Sequence, residues 1–234
     1  MGVRVAALYD VHGNLPALEA VLREVDEEAV DVVVFGGDLV WGPWPSETLD
    51  RAESLGSRAR FVRGNCETLV LNGASEPHAW ARDRLRDEQR AAIDAWPLLL
   101  RLDVEGLGPA LFCHATPRSD DEVVTPASAL ICWENALAGV GEQTVVCGHT
   151  HLQFDLELAG RRVVNPGSVG APTRRAAAWW AVVGPEVDLR VTEYDTEATI
   201  AAARTRVPDV RPFADWFRET PSDSERIRNL EASA

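Results

Sequence analysis

Two histidines one residue apart close a short apolar run in Thr144-Val145-Val146-Cys147-Gly148-His149-Thr150-His151. Neutral imidazole is the commonest metal ligand, and on an extended segment side chains at i and i+2 point the same way. Both rings can therefore converge on one point just past a strand. The same pattern recurs elsewhere. The run 3–9 leads into Asp10-Val11-His12, the run 31–35 passes through Gly36-Gly37 into Asp38, the run 60–62 passes through Arg63-Gly64 into Asn65, and the run 109–113 leads into His114. Asp and Asn after strands are often only turn or capping residues. Four of the five histidines nevertheless end apolar runs, which is too concentrated for seven unrelated turn residues. Asp10, His12, Asp38, Asn65, His114, His149 and His151 offer carboxylates and imidazoles without a thiolate-rich set, a mixture that suits Mn, Fe, Zn, Ni or Co. Seven ligands exceed the needs of one ion and fit two that share a carboxylate. Paired ions roughly 3.5–4 Å apart are a general device for hydrolysing phosphate esters.

Such a site requires five strand ends in one place, and ligands of open α/β sheets do bind outside the carboxyl ends of strands. The first half of the chain alternates strand and helix signals. Pro16 stands where a first helical residue is favourable, and Leu18, Val21, Leu22 and Val25 form an apolar stripe through about Glu28. After Asp38 comes the loop Trp41-Gly42-Pro43-Trp44-Pro45, then a helix from near Ser46 to Gly56, then a strand over 59–62. This rhythm predicts parallel pairing with right-handed crossovers. A charged helix is expected over 77–96, with His78 as a surface residue, ended by Pro97. Runs 98–102 and 109–113 read as a strand pair around the turn 105–108, followed by a helix near 126–138. The runs 152–158, 161–164, 177–183 and 187–194 are separated by Gly or Pro turns, as in antiparallel pairing, and an exposed face there could form a homodimer. From Asp195 onward the pattern is helical but polar, interrupted at Pro208, Pro212 and Pro221, with fraying at the end. The expectation is one domain over 1–234, with a core of about 3–195 and a helical extension over 196–234.

Composition narrows the partners. A formal charge of -14 and a pI near 4.8 argue against a general nucleic-acid or anionic-membrane surface. An anionic substrate would need metal ions or a few arginines. Cys66, Cys113, Cys132 and Cys147 form no CxxC pair and read as separate thiols in a reducing compartment. The N-terminus enters a strand-like run directly, and the longest fully apolar stretch, 176–183, is too short to span a bilayer. A soluble, cytoplasmic protein is expected.

The ordered set Asp10-x-His12, Gly37-Asp38, Gly64-Asn65, His114 and Gly148-His149-x-His151 resembles the calcineurin-like metallophosphoesterase pattern. The segments 36–43, 114–118 and 165–170 resemble its small bacterial and archaeal branch, over roughly residues 3–195. The resemblance implies a four-layer α/β/β/α sandwich of two mixed β-sheets with a dinuclear metal site at the strand ends. It implies that Asp10, His12 and His151 hold one ion, that Asn65, His114 and His149 hold the other, and that Asp38 bridges. Two divalent ions, Mn foremost with Fe, Zn, Ni, Co or Mg as alternatives, would hold a hydroxide for in-line attack on phosphorus.

Much of that superfamily has histidine after Gly-Asn, whereas this chain has Gly64-Asn65-Cys66-Glu67. A thiol is a weaker leaving-group acid than imidazolium, so diester hydrolysis with good leaving groups is expected, Cys66 either assisting or standing by. Asn14 could reach a phosphate oxygen or simply cap the following helix. Arg118 could clamp a phosphoryl group or pair with Asp120 or Asp121. Trp41 and Trp44 could floor the cleft, stacking on a nucleotide-like small phosphoester, or pack in the core. The alternatives are a phosphomonoesterase or Ser/Thr protein phosphatase, and a non-catalytic protein-binding scaffold of the same fold, as in the retromer subunit of that branch.

Overall fold

The computed structural model describes residues 2–207, 217 and 221–233. Its elements in chain order are β1 (Val5–Leu8), α1 (Leu15–Glu27), β2 (Val32–Phe35), α2 (Pro45–Glu53), β3 (Ala59–Phe61), α3 (Asn65–Asn72), α4 (Glu76–Arg82), α5 (Asp87–Asp94), β4 (Leu99–Val104), β5 (Gly108–Cys113), α6 (Leu130–Ala136), β6 (Thr144–Val146), β7 (Phe154–Leu158), β8 (Arg161–Asn165), β9 (Ala178–Val183), β10 (Val187–Thr192), α7 (Thr196–Ala203) and α8 (Asp223–Ser233). The strands form two five-stranded mixed sheets, ordered β10-β9-β1-β2-β3 and β4-β5-β6-β8-β7.

Alternation along each strand decides the layers. Val5 and Ala7 of β1, Val32 and Val34 of β2, Ala110 and Phe112 of β5, and Val146 of β6 share one cluster, which is the seam between the two sheets. Their neighbours turn the other way. Ala6, Leu8, Val33 and Phe35 pack with Leu18, Val21 and Leu22 of α1, while Leu111, Cys113 and Val145 pack with Trp133 and Ala136 of α6. The layers therefore run helix, sheet, sheet, helix. Strands buried on both faces read as continuous apolar runs, as VVVF of β2 does. β1 pairs in parallel with β2, β2 with β3, β5 with β6 and β6 with β8. The carboxyl ends of β1, β2, β3, β5 and β6 consequently share one rim.

One expectation about these elements needs correction. The charged helix over 77–96 is two helices, α4 and α5. Leu85 turns into the core between them, and the Arg86 N–H is taken at 3.0 Å by the Gln89 side chain, as at a new helix start. The later strands pair antiparallel with their neighbours as expected, but the two pairs belong to different sheets. β7 pairs with β8 and β9 with β10, but β9 joins the first sheet against β1 (Val5↔Val183) while β8 joins the second in parallel with β6. β9 is buried throughout and offers no face to a second copy, although Leu156 on edge strand β7 is exposed. The last described helix, α8, runs from Asp223 to Ser233. Pro221 does precede it, whereas Pro208 and Pro212 lie outside the described residues. Among those residues, no helix is long and apolar enough to cross a membrane.

Candidate metal centre

Each of the five strands ends one to four positions before a candidate ligand, and at most of these ends the chain then bends sharply. Asp10 (φ 53°), His12 (φ 49°), Asp38 (φ 54°), His149 (φ 64°) and His151 (φ 61°) are all left-handed. They make up five of the seven non-glycine residues with positive φ among those described. Such conformations cost on the order of 1–3 kcal/mol each and persist only where the surroundings over-determine them. This corrects the premise that the i, i+2 pairs are extended. His149 and His151 instead diverge: His149 joins Asp38 and His114, while His151 joins Asp10 and His12.

The surroundings that enforce these bends are hydrogen bonds between loops distant in sequence. Asp10 N donates to Gly37 O (3.1 Å) and His12 N to Asp38 O (2.8 Å), locking the β1 loop on the β2 loop. Asp10 O accepts from Ser168 Oγ (2.8 Å) and Gly170 N (3.0 Å), and Asp10 Oδ2 accepts from His149 N (3.0 Å). Asn165 Nδ2 donates to Gly148 O (2.9 Å) and Thr150 Oγ1 (3.1 Å), so the segment 165–170 braces both histidine-bearing loops. Gly37 is required by space as well as by its φ of 99°, since a Cβ there would lie 2.5 Å from His114 Nδ1.

Glu67 holds the opposite side. It is fully buried, and its carboxylate accepts from Asp38 N (2.8 Å), Leu39 N (2.7 Å), Val40 N (3.2 Å) and Gly64 N (2.9 Å). Four backbone donors on one carboxylate make a rigid cross-brace between the loops after β2 and β3. Its signal in the sequence is the three-residue spacing from Gly64, that of a glutamate at the third position of a helix.

The polar atoms inside this frame are arranged for cations. His114 Nδ1 lies 2.9 Å from Gly36 O and His151 Nδ1 lies 2.7 Å from Ala171 O. A carbonyl only accepts, so each Nδ1 carries a proton and each Nε2 is the ring atom turned inward. His114 Nε2 then faces Asn65 Oδ1 at 3.1 Å and Asp38 Oδ1 at 3.3 Å. His151 Nε2 faces His12 Nε2 at 3.1 Å and Asp10 Oδ1 at 3.4 Å. Asp10 Oδ1 is buried without a hydrogen-bond partner among the described residues, and the Nε2 atoms of His12 and His114 each stand 3.9 Å from it. Lone pairs aimed at one another in a buried space repel unless protons or cations lie between them. The donor set fits divalent cations.

Electrostatics follow the same logic. Burial would depress His114, but Asp38, with its hydrogen bond, and Asp10 outweigh it and raise the imidazole to about 10. Burial depresses His12 to about 3, and burial together with His114 lowers His149. Burial acts to raise Asp38 and Asp10, yet His114 and His12 hold Asp38, and His151 and His114 hold Asp10, below the usual carboxylate range. Without cations, the protein balances its two carboxylates with a proton on His114.

Around this centre the other candidates fall into place. Cys66 is buried, its backbone N–H donates to Asp38 Oδ1 at 2.9 Å, and its Sγ is grouped with ligand atoms of His12 and Asp38. Burial and the nearby Asp38 raise its thiol well above the usual range. Asn14 caps α1, accepting from Ala17 N (3.2 Å) and donating to Gly170 O (3.3 Å) and Tyr194 Oη (3.1 Å), so its amide is engaged in structure. Arg118 pairs with Glu122 rather than Asp120 or Asp121, and also donates to Asn135 O (3.2 Å). Trp44 packs with Ile200, Ala203, Val207 and Phe217, a core role. Trp41 differs: its ring meets His12 edge-on (6.0 Å, 78°) and stacks on His78 (4.9 Å, 18°). His78 is therefore half-buried beside the centre, contrary to the surface position expected for it. Nothing in its own helix signalled this, because the contact is made by a loop more than thirty positions earlier.

A family model for the calcineurin-like phosphoesterase superfamily domain matches residues 3–186. The chain belongs to this superfamily. Among the calcineurin-like proteins and their structural neighbours, a metallophosphoesterase from Sphaerobacter thermophilus superimposes with a TM-score of 0.71 at 22% identity over the whole of both chains. A hypothetical protein from Pyrococcus horikoshii OT3 gives a TM-score of 0.77 at 20% identity, covering 94% of this chain and 99% of that one. An uncharacterized protein from Methanocaldococcus jannaschii is 25% identical over 242 residues, 92% of this chain and 96% of that protein. The calcineurin-like match ends before β10, so α7 and α8 lie beyond it.

Proposed function

We propose that the protein is a metal-dependent phosphoric ester hydrolase with a two-ion centre and a preference for phosphodiesters. The observation that carries this reading is the buried, partnerless Asp10 Oδ1 with three imidazole Nε2 atoms turned towards it. Asp10, His12 and His151 would hold one ion, Asn65, His114 and His149 the other, and Asp38 lies between the two groups. Two divalent ions, Mn foremost, supply Lewis acidity, an acidified water and charge neutralisation at phosphorus. The rigid cross-braces at Glu67 and Asn165 fix the ligand positions, which is what orients a substrate phosphorus for in-line displacement.

The diester preference rests on charge and on proton supply. A phosphomonoester carries about −1.5 to −2 charges near neutral pH, and a diester carries one fewer ionisable oxygen. A centre built on Asp10 and Asp38, with Glu67 buried behind it, admits the smaller charge more readily. Cys66 remains a neutral thiol, a poor proton donor to a departing alkoxide, which favours leaving groups that need no proton. The substrate class is a small phosphoester.

The test strips the protein of metal and measures hydrolysis of bis-p-nitrophenyl phosphate and p-nitrophenyl phosphate, with and without Mn²⁺. Mn²⁺-dependent cleavage favouring the diester is expected. Preference for the monoester would remove the diester assignment, and silence on both across several metals would remove the hydrolase. Cys66→His should raise monoester cleavage relative to diester cleavage.

A further inference from the structure

We propose that Arg226, carried into the rim by α8, binds the non-bridging oxygens of the substrate phosphoryl group at the metal centre. The proposal rests on the hydrolase reading above for the identity of the anion, but not for the existence of the anion site.

Arg226 Nε donates to Thr150 O at 3.0 Å, and Thr150 is the residue between His149 and His151. That bond engages one donor of the guanidinium. The four N–H groups on Nη1 and Nη2 have no protein partner among the described residues, and no carboxylate pairs with this side chain. Other arginines of the chain behave differently. Arg174 closes on Asp223 through two bonds of 2.7 and 2.6 Å, and Arg162 closes on Asp155 through two of 2.9 and 2.7 Å. Arg118, the arginine singled out from the sequence, is already held by Glu122.

A half-buried arginine with an idle fork is costly to keep, because desolvation of a charge is repaid only by a partner. Burial lowers the Arg226 pKa, and the acid whose charge reaches it is Asp10, a candidate metal ligand. With cations bound, that carboxylate would be committed to them, and the guanidinium, tied by Nε to Thr150 O between His149 and His151, would be available to an anion. A planar guanidinium suits two oxygens of a tetrahedral phosphoryl group.

Its position is also fixed rather than incidental. Ser222 and Glu225 form a reciprocal cap, Ser222 N donating to Glu225 Oε2 at 2.9 Å and Glu225 N donating to Ser222 Oγ at 3.4 Å, which sets where α8 begins. Arg174 N donates to Pro221 O at 2.9 Å, and Ile227 packs against the cluster containing Cys147, Leu152 and Phe154. The helix is thus docked on the loops that carry His151 and its Ala171 partner. Arg226 itself lies beyond residues 3–186, the segment matched to the superfamily.

The experiment uses the full chain loaded with Mn²⁺. Inorganic phosphate is titrated calorimetrically into wild type, Arg226→Ala and Arg226→Lys, with metal content measured on each, and KM and kcat are taken for bis-p-nitrophenyl phosphate. Loss of a charge-assisted hydrogen bond predicts a phosphate affinity about tenfold or more weaker in Arg226→Ala, partly restored in Arg226→Lys, with metal content unchanged and KM raised more than kcat is lowered. An unchanged phosphate affinity in both variants would overturn the proposal. Lost metal with unaltered phosphate affinity per bound metal would make Arg226 a clip for the Thr150 loop and would also overturn it. If wild type hydrolyses neither ester yet Arg226→Ala still loses phosphate, the anion site stands and the hydrolase reading falls.

Discussion

The centre and its rim are built by opposite means. The centre is made of residues that immediately follow strands, and its bends are locked by backbone hydrogen bonds between neighbouring loops, as in His12 N to Asp38 O. The rim is made of side chains sent in from helices: His78 from α4 stacked on Trp41, and Arg226 from α8 hooked to Thr150 O. In the centre the sheet dictates where a ligand must be. On the rim, position depends on how a separate helix docks, so the same centre can carry different rims. The lesson is that the strand ends fix the centre, while the rim is fixed by how two helices dock.

That division can be broken by substitution. The largest effect should come from Asp38, which faces His12 and His114 at 3.9 and 3.3 Å. Asp38→Asn should lower kcat by roughly 10²–10³-fold, the scale of losing one preorganised electrostatic group, and metal analysis should show a reduced ion content. Retained activity and metal would mean that the two ligand groups work independently. Glu67→Gln comes next. Its four backbone donors would lose their charged acceptor, and metal affinity or activity should fall about 10–100-fold, as for other groups that orient ligands. A competition titration with a chelator reads this directly, and an unchanged affinity would show that the loops hold without the brace. Removing the ions from wild type should lower Tm in proportion to their occupancy, by about 2.7 kcal/mol of stability at a hundredfold excess over Kd, measured by calorimetry before and after chelation. The smallest effect belongs to the rim. His78→Ala removes one aromatic pair worth about 0.5–1.5 kcal/mol, so KM for an aryl ester should rise a few-fold with kcat and metal content unchanged. A loss of metal in that variant would erase the distinction between rim and centre.

The grouping of the seven candidate ligands was legible because each follows an apolar run that stops near a His, Asp or Asn. The reason offered for their convergence was only partly right. Asp10 and His12 do share a group, but through left-handed bends, and His149 and His151 part company. The parallel strands were legible from the strand–helix rhythm. The home of β9 was not, because Val5↔Val183 joins residues far apart in the chain and nothing in AWWAVV names its partner. The rim was illegible for the same reason. The Ser222–Glu225 spacing marks where α8 starts, yet no local pattern says that the next residue reaches Thr150. Arg118 drew attention by lying near His114 in sequence, whereas in space it is satisfied by Glu122.

Asp10 carries a consequence for how the protein is made. It is made well before its partners: its side chain is met by the N–H of His149, 139 residues later, and its carbonyl by Ser168, 158 residues later. Contacts this distant form late, because the intervening chain must be closed first. During synthesis, therefore, no intermediate length of chain offers the complete cage. A growing chain presents scattered Asp and His residues to the cell's metal pool, and selection among ions begins only when the finished fold has set the spacing.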